Sequence, residues 1–395
     1  SSISFSDGSK LTSASKQLDI NMNLNSSTLK KKTFKPFKKN FIIKTNDVEA
    51  QLDNLLSNSS QIFSFGKSIP SKWVVVGNNS IFYSSDNINW IRISEHGSIN
   101  TSNNNIFSEG KGVAWNGTIW VAVGNGNDDS IAYSNNGLNW TGLGRDIFWE
   151  GEGVAWNGSI WVAVGEGNNT IAYSYDGINW IGSINGNNVL DTIGNGVAWN
   201  GTMWVAVGRG NNKIVYSNDG LTWTAVESYN IFSYEGNGVA WNGSRWVAVG
   251  KGTNSIAYSN NGIDWVGDSD TNKIFSDHGN DVAWNGTIWV AVGKGSNTIA
   301  YSFDGISWQG LGNYIFSTSG NGVAWDGTRW LAVGEGNNNI AYSIDGIYWF
   351  GQILENNSII FNGVAHNSLR PHTIKFPKSL TVAVGTGNNT IACLL

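Results

Sequence analysis

The sequence predicts an all-β fold made of repeated four-stranded sheets, from a repeat, a strand pattern and an unusual composition. From residue 62 onwards one motif recurs, Gly-Val-Ala-Trp-Asn-Gly-x-x-Trp-Val-Ala-Val-Gly-x-Gly-x-Asn-x-Ile-Ala-Tyr-Ser-x-Asp-Gly-x-x-Trp. The tryptophan before the Val-Ala-Val-Gly run, or its close variant, is Trp73, Trp120, Trp161, Trp204, Trp246, Trp289 or Trp330. Most copies lie about 42 residues apart, a spacing typical of the blades of a β-propeller. The 395 residues include 50 Gly and 21 Trp but only 13% charged residues, which excludes a charge-rich disordered chain.

Each copy contains four short candidate strands separated by turn residues. Gly-Val-Ala-Trp and Trp-Val-Ala-Val are joined by Asn-Gly or Asp-Gly, dipeptides that favour a tight hairpin. A Gly-x-Gly-x-Asn loop leads into Ile-Ala-Tyr-Ser, and a second turn leads to a strand around the last tryptophan, as in residues 178–182. No copy has helical periodicity. The pattern therefore predicts four antiparallel strands per copy, repeated around a ring.

Counting copies predicts eight blades, with seven as the alternative. The eighth copy has Leu380-Thr381 ahead of its Val-Ala-Val-Gly run and lacks a fourth strand after Cys393. Because a missing outer strand exposes a sheet edge, we expect the N-terminal segment to supply it, with residues 41–44 as the candidate. Seven is the alternative because terminal copies are often atypical and the first copy has a degenerate opening strand.

The turn after the third strand resembles the Asp-box, or BNR repeat, of sialidase-type propellers. It reads Ser-x-Asp-Gly-x-x-Trp in four copies, and two other copies have asparagine in place of the aspartate. The first copy keeps the aspartate but lacks the glycine. The aspartates are Asp86, Asp176, Asp219, Asp304 and Asp345. The usual Asp-box has one more residue between Asp and Gly, so these are short variants. The resemblance covers residues 62–395, and the rhythm is most similar to propellers of the photosystem II assembly-factor type. It implies that these aspartates are structural and hold the turn by hydrogen bonds.

A sialidase-type activity is not expected. That family needs an arginine triad, whereas two of the six arginines here, Arg245 and Arg329, occupy equivalent hairpins opposite the usual binding face. His366 and His372 flank Arg370-Pro371 with no cysteine or carboxylate at metal-ligand spacing. The sequence therefore predicts no catalytic residues, no cofactor and no metal.

Residues 1–61 form a basic arm ahead of the predicted propeller, residues 62–395. Residues 1–50 contain nine Lys+Arg and four Asp+Glu, a net charge of +5, and the rest of the chain carries −10. The assembly residues of this arm are Lys30, Lys31, Lys32, Phe34, Lys35, Phe37, Lys38 and Lys39. Such a run suits phosphates or a membrane surface, but charge runs are more often solvated tails or protein anchors, which we favour. Residues 47–56 predict a short helix with an apolar stripe.

The loop between the second and third strands is the predicted binding surface. In propellers it shares a face with the blade-to-blade connections, and its variable residues here are Asn125, Glu166, Arg209, Lys251, Lys294, Glu335 and Thr386. The mixed charges argue against identical sites for one charged ligand. They suit a protein contact, and Asn/Gly-rich loops suit sugars. Turn chemistry copied by duplication is the alternative interpretation.

These observations predict a non-enzymatic structural or interaction scaffold that self-associates or binds protein partners through residues 1–61. A carbohydrate-binding propeller lectin is the first alternative, and it predicts aromatic side chains exposed on the loops; a complex-assembly factor is the second. The Asn/Ile/Lys/Ser-rich composition indicates an AT-rich genome, and from it we hypothesise a virion or fibre surface component. Thirteen Asn-x-Ser/Thr sequons would be glycan acceptors at such a surface.

Overall fold

The computed structural model describes residues 3–4, 10–11, 73–78, 80–85, 89–92, 106–226, 231–267, 274–354, 359–366, 381–384 and 391–394. The chain divides into two compact units, of which Pro70–Leu369 is called the propeller unit. In the other unit, Ser1–Ile69 with Arg370–Leu395, Ile3–Ser4 pairs with Lys10–Leu11 and Thr381–Val384 pairs with Ile391–Leu394. The predicted strand 41–44, the helix 47–56, the assembly residues of the basic arm at positions 30–39 and the domain boundary at residue 61 lie outside the described residues.

Within the propeller unit, the described strands form seven four-stranded antiparallel sheets, called blades 1 to 7. In blades 4 to 7, the second strand of one blade also pairs through one residue with the inner strand of the next blade. The inner strands are Phe361–His366, Glu109–Trp115, Glu150–Trp156, Ile193–Trp199, Glu235–Trp241, His278–Trp284 and Ser319–Trp325. The second strands are Trp73–Gly77, Trp120–Asn125, Trp161–Glu166, Trp204–Arg209, Trp246–Lys251, Trp289–Lys294 and Trp330–Glu335. The third strands are Ser80–Ser84, Ile131–Ser134, Ile171–Ser174, Ile214–Ser217, Ile256–Ser259, Ile299–Ser302 and Ile340–Ser343. The outer strands are Ile91–Arg92, Thr141–Gly142, Ile181–Gly182, Thr224–Ala225, Trp265–Gly267, Gln309–Gly310 and Phe350–Gln352.

The prediction of an all-β propeller of four-stranded antiparallel blades is confirmed. One helical turn, Gly186–Val189, interrupts the strands between blades 3 and 4. Among the described residues, no helix has the length and apolar character needed to cross a membrane.

The described residues of the propeller unit form seven four-stranded sheets, whereas counting copies predicts eight blades. The first strand of the eighth copy does not open a new blade. It pairs with the second strand of the first copy, with Trp73 opposite His366 and Val75 opposite Val364. This pairing gives blade 1 its inner strand and joins the two ends of the ring. The inner edge of Trp73–Gly77 is thereby paired.

The hydrophobic core lies between the blades and follows the two-residue period of the second strands. The two valines of one second strand pack with the tryptophan of the next blade, as Val121 and Val123 of blade 2 do with Trp161 of blade 3. The same contact recurs around the ring and ends where Val333 of blade 7 joins Trp73 of blade 1. Since these side chains are almost fully buried, each blade is stabilised mainly by its neighbours.

The two ends of the blades differ in the turns that they carry. The first hairpin and the Ser-x-Asp-Gly turn lie at one end, called the hairpin face, because the strands alternate in direction. The loop between second and third strands and the connection to the next blade lie at the other end, called the loop face.

The Ser-x-Asp-Gly turn is held by its aspartate. In blade 4, Asp219 Oδ1 accepts hydrogen bonds from the backbone N–H of Leu221 and Thr222, both at 2.8–2.9 Å, and from the Ser217 hydroxyl. Burial tends to raise the pKa of Asp219, but these hydrogen bonds outweigh it and hold the pKa below its ordinary value. Asp176, Asp304 and Asp345 make equivalent bonds, while Asp86 lies outside the described residues.

We expect Asp219→Asn to leave stability at neutral pH nearly unchanged. Blades 2 and 5 already use asparagine here, and Asn136 Oδ1 accepts the same two backbone N–H groups at 2.8 Å. A lowered pKa gives stability that is present above the ordinary value of 3.8 and is lost as pH falls, so the variant should lose less stability in acid. Thermal unfolding from about pH 7 to 3 measures this. Asp219→Ala, which removes the acceptor, should cost about 1 kcal/mol near pH 7 and less near pH 3, where the parent also loses this contribution. Equal acid sensitivity of Asp219→Asn and the parent would contradict the assignment.

Candidate functional site

Six of the predicted loop residues lie in equivalent positions on the loop face. Each ends a second strand and pairs with the first residue of its inner strand; they are Asn125, Glu166, Arg209, Lys251, Lys294 and Glu335. Thr386 lies outside the described residues. Because their pairing partners begin the inner strands, these residues lie at the loop-face ends of the first two strands of each blade. Arg209 and Lys294 are exposed, and the other four are half-buried.

A charged cluster lies beside this position in blades 2 and 3. Lys111 Nζ is 3.0 Å from a carboxylate oxygen of Glu109 and 3.3 Å from one of Glu150. The charge of Glu152 also raises the pKa of Lys111. Asn125 Nδ2 donates to Glu150 at 3.2 Å, and Asn362 of blade 1 donates to Glu109 at 3.1 Å. Three carboxylates therefore converge on one ammonium group near the axis.

The environment shifts the pKa of two members of this cluster. Burial raises the pKa of Glu152 to about 8; Lys111 opposes the shift, while Glu150 and Glu109 add to it. Burial lowers the pKa of Lys111, but the three glutamates outweigh burial and leave it above its ordinary value. Lys111 thus stays positively charged, and Glu152 holds a proton to higher pH than an ordinary glutamate does.

We expect Glu152→Gln to stabilise the protein at alkaline pH. A carboxyl whose folded-state pKa is raised gives stability that is present below its ordinary value of 4.5 and is lost as pH rises through about 8. The variant should exceed the parent by on the order of 1 kcal/mol near pH 9 and match it near pH 4. Chemical unfolding at both pH values measures the difference. Glu166→Gln, outside the cluster in the same blade, is the control; a similar alkaline gain there would contradict the prediction.

The same strand position carries asparagine in the other five blades. Each amide donates at 2.8–3.1 Å to a backbone carbonyl of the next inner strand: Asn195 to Gly236, Asn237 to Gly279, Asn280 to Gly320, Asn321 to Phe361 and Asn362 to Gly110. Lys111 and Glu152 interrupt this ladder. The charged cluster is therefore confined to one sector of an otherwise repeated ring.

Asp281 adds a second exception, between blades 6 and 7. It stands where six blades have glycine, and its carboxylate accepts from Val282 N–H at 2.8 Å and from Val323 N–H of blade 7 at 2.9 Å. Burial raises the pKa of Asp281 to about 6, against the lowering effect of these hydrogen bonds. The side chain ties two inner strands together.

A second cluster, mainly cationic and aromatic, lies at blades 4 to 6. The Tyr234 ring has the Arg209 guanidinium 4.9 Å from its centroid and the Lys251 ammonium at 5.5 Å, which is cation–π distance. Lys251 also lies 3.4 Å from Asp277, whose second neighbour is His278 Nδ1 at 3.2 Å. Tyr234 remains 44% exposed. This sector therefore presents an aromatic ring flanked by two cations, unlike the acidic sector at blades 2 and 3.

Trp149 is the large aromatic side chain of the loop face at blade 3. It is 57% exposed, and its ring lies against Gly167, where a side chain would collide with it. Its backbone N–H donates to Glu166 at 2.8 Å, and Arg145 donates to its carbonyl at 2.6 Å. The indole is thus held in place by the backbone while much of its surface stays in water. Tyr234 precedes the inner strand of blade 5 as Trp149 does that of blade 3.

These groups provide binding contacts: cations, carboxylates, amides and two exposed rings. No cluster of three or more metal-ligating side chains occurs in the described part of the chain. Sequence reasoning located the loop positions but missed Lys111, Glu152 and Tyr234. The signal was present in the Gly-x-Gly-Val-Ala-Trp segment, where x is Lys, Glu or Asn. Trp149 was visible as the one tryptophan outside the repeat.

The fold and this face define a β-propeller whose loop face differs from blade to blade. No protein-family model matches the chain, and no curated protein is significantly similar to it. Among solved structures it is similar to a computationally designed protein, Ika8, at 14% identity, covering 81% of this chain and 92% of that one with a TM-score of 0.49. YCF48 from Cyanidioschyzon merolae matches at 13% identity, 62% and 84% coverage and a TM-score of 0.46. A GH74 enzyme from Niastella koreensis matches at 14% identity, covering 70% of this chain and 51% of that one with a TM-score of 0.47. None of these similarities carries an argument about function.

Proposed function

We propose that this protein is a non-enzymatic interaction scaffold whose loop face binds one asymmetric partner protein. The observation that carries the proposal is a contrast within each blade. The second strand is buried from its tryptophan to its glycine in the blades, and its sequence is almost unchanged from copy to copy. The next residue, on the loop face, is Asn, Glu, Arg, Lys, Lys and Glu in blades 2 to 7.

This contrast favours a partner without rotational symmetry. Duplication alone produces identical side chains at equivalent positions, and a symmetric ligand would be bound best by identical ones. Here the sector at blades 2 and 3 gathers three glutamates around Lys111, whereas the sector at blades 4 to 6 places Arg209 and Lys251 opposite Glu235 and adds Lys294. Different arrangements of charge on two sides of a face orient a partner and favour one register over others.

Two of the exposed aromatic rings on the loop face are the proposed anchors. Trp149 and Tyr234 lie on two different blades, in the acidic and the cationic sector respectively. Tryptophan, tyrosine and arginine dominate the energetics of protein interfaces because they bury large areas at a small entropic cost. The rigid backbone under Trp149 lowers that cost further, since its loop is already ordered.

Site-specific crosslinking tests the proposal. A photoreactive amino acid replaces Trp149 in the full chain, or Tyr175 of the same blade, which is 65% exposed on the hairpin face. Irradiation in the protein's natural setting should give one defined protein adduct from position 149 and none from position 175. Adding Arg209→Glu should reduce the adduct at least about tenfold, the effect of losing about 1.4 kcal/mol. Equal adducts from both positions, or none from position 149, would overturn the proposal.

The arm, residues 1–61, is proposed to tether the propeller into a larger assembly, for which a virion or fibre surface is the specific hypothesis. Light scattering on the full chain and on a chain starting near Ser60 tests this. A large defined assembly that becomes a monomer on truncation supports the tether, and equal masses for both chains refute it.

Carbohydrate binding is the second candidate, favoured by the exposed indole of Trp149. Aromatic rings stack on the apolar faces of sugars, and Asn125, Glu150 and Glu166 lie in the same sector to accept or donate hydrogen bonds. Incorporation of 5-fluorotryptophan and ¹⁹F NMR with methyl glycosides and chitotriose tests it. The Trp149 signal, identified by its loss in Trp149→Phe, should shift on titration. A shift of this signal without a protein adduct would favour the sugar, and an unchanged signal would remove this candidate. The Asp-box family and the assembly-factor function that it implies stay hypotheses beside both.

A further inference from the structure

The hairpin face carries the same tripeptide in five blades. The first hairpin reads Asn-Gly-Thr or Asn-Gly-Ser, beginning at Asn116, Asn157, Asn200, Asn242 and Asn285. In each, the asparagine Oδ1 accepts the backbone N–H groups two and three residues later, as Asn116 does from Thr118 and Ile119, both at 2.8 Å. The Ser or Thr hydroxyl donates to the same oxygen at 2.9–3.1 Å. The oxygen of each amide is therefore fully used by the turn.

The nitrogen of the same amides is not used. Among the described residues, none of these five Nδ2 groups has a hydrogen-bond partner, whereas Asn168, Asn195 and Asn297 all donate from Nδ2 to backbone carbonyls. The next residue is a glycine with φ of 102–104°, and no atom lies within 4 Å of where its side chain would be. The Ser or Thr after it is exposed. Each Nδ2 therefore belongs to an open hairpin tip.

Blade 7 shows that the turn does not need the amide. Its hairpin has Asp326 in place of asparagine, and Asp326 Oδ1 accepts from Thr328 N–H at 2.6 Å, Arg329 N–H at 2.7 Å and the Thr328 hydroxyl at 2.7 Å. A carboxylate thus builds the same turn with the same bonds. The five nitrogens are surplus to folding and available for chemistry.

We propose that these five hairpin asparagines are acceptor sites for N-linked sugar, so that the hairpin face is the glycosylated end of the propeller unit. In the transfer, Nδ2 forms a bond to the anomeric carbon of a phosphate-activated sugar, and the bond from that carbon to the phosphate oxygen breaks. The phosphate-bearing carrier leaves with the electron pair, and the Nδ2 proton passes to the transferase. The hydroxyl that donates to Oδ1 withdraws electron density from the amide and makes its N–H more acidic.

The proposal is independent of the partner bound at the loop face. Because the hairpin tips lie at the opposite end of the blades, attached sugars would leave Trp149 and Tyr234 uncovered. Sugar attachment would also keep the hydrogen bonds of each turn, since these end on Oδ1. Asn168 is also in a sequon, but its Nδ2 already donates to the Asp146 carbonyl at 3.0 Å, so one of its two N–H groups is engaged. It is therefore a control within the same chain.

Two sources of activated sugar are tested separately on the full chain. In the first arm, the folded, unmodified protein is incubated with a soluble N-glycosyltransferase and UDP-glucose. In the second arm, the chain is secreted from eukaryotic cells, where the donor is a lipid-linked oligosaccharide. Site-resolved peptide mass spectrometry should show occupancy at the five hairpin sites at least tenfold above that at Asn168 in one arm or both.

The outcome of each arm decides which donor the sites accept. A positive first arm indicates a nucleotide-activated sugar, and a positive second arm a lipid-linked one. Hairpin occupancy no higher than at Asn168 in both arms overturns the proposal. Replacing the five asparagines by aspartate, as in blade 7, should abolish hairpin modification while the melting temperature stays within about 2 °C. A chain that unfolds on this replacement would show that the amides are structural, and would also overturn it.

Discussion

Gly208→Ala is expected to be among the most destabilising single methyl additions in the propeller unit. Gly208 lies near the end of the second strand of blade 4, where an added Cβ would overlap the carbonyl oxygen of Ile193 and lie 3.0 Å from Gly194 Cα. Both atoms belong to the backbone of the paired inner strand, which cannot move without breaking the contacts around the ring. We expect a loss of about 3 kcal/mol or more, at or above the upper end of overpacking costs.

Gly201→Ala in the same blade is the matched control. Gly201 has φ of 104° but no atom within 4 Å of its Cβ position, so alanine there is strained but does not overlap anything. We expect about 1–2 kcal/mol for this strain. Guanidinium unfolding of both variants measures the difference. A cost at Gly208 equal to or below that at Gly201 would show that the inner and second strands adjust to the methyl group.

Trp161→Ala should cost about 3–5 kcal/mol, the range for emptying a buried aromatic site. Trp161 has no exposed surface, and it packs with Val121 and Val123 of the preceding blade. Its ring centroid lies 5.1 Å from that of Trp156. The substitution therefore opens a cavity at a boundary between blades, and unfolding should begin at lower denaturant.

Trp149→Ala provides the comparison, because it removes the same side chain from the same blade. At 57% exposure, Trp149 contributes little burial, and we expect a loss under about 1 kcal/mol. Chemical unfolding of the two variants side by side measures the contrast. Similar losses would mean that Trp149 belongs to the core, and it would then be a poor anchor for a partner.

Local features of the fold can be predicted from the sequence because the same strand and turn patterns occur in seven or more copies. The two-residue period of Trp-Val-Ala-Val predicts a strand with two buried sides, and the structure places its valines and its tryptophan against opposite neighbours. Asn-Gly predicts the tight hairpin, and Gly117 has the positive φ that this hairpin requires. Repetition makes such assignments robust, since an error would have to recur in every copy.

The closure of the ring could not be read in the same way. Residues 363–366 have the local pattern of an ordinary first strand, and nothing near them indicates pairing with Trp73 and not with Leu380-Thr381. Which partner wins depends on the geometry of the whole ring, where a seventh blade already brings the two segments together. Counting copies, which predicts eight blades, takes no account of this constraint.

The site was predictable in position but not in composition. The loop between second and third strands pointed to the loop face, because propeller topology fixes that end. The convergence of Lys111, Glu109 and Glu150 needed the structure, because it depends on side chains from two blades meeting at the axis. The exposure of Trp149 likewise needed the neighbouring Gly167, which leaves room for the ring on one side only.

The pairing of Trp73 with His366 also sets a schedule for folding during synthesis. At roughly 5–20 residues per second, the ribosome needs on the order of tens of seconds to produce the strand that completes blade 1. Until then the second strand of that blade has an unpaired edge, which is a template for association with other chains. A nascent chain of this protein is therefore most vulnerable to aggregation just before Phe361 emerges, and a premature stop in the seventh blade should yield insoluble product where an internal substitution does not.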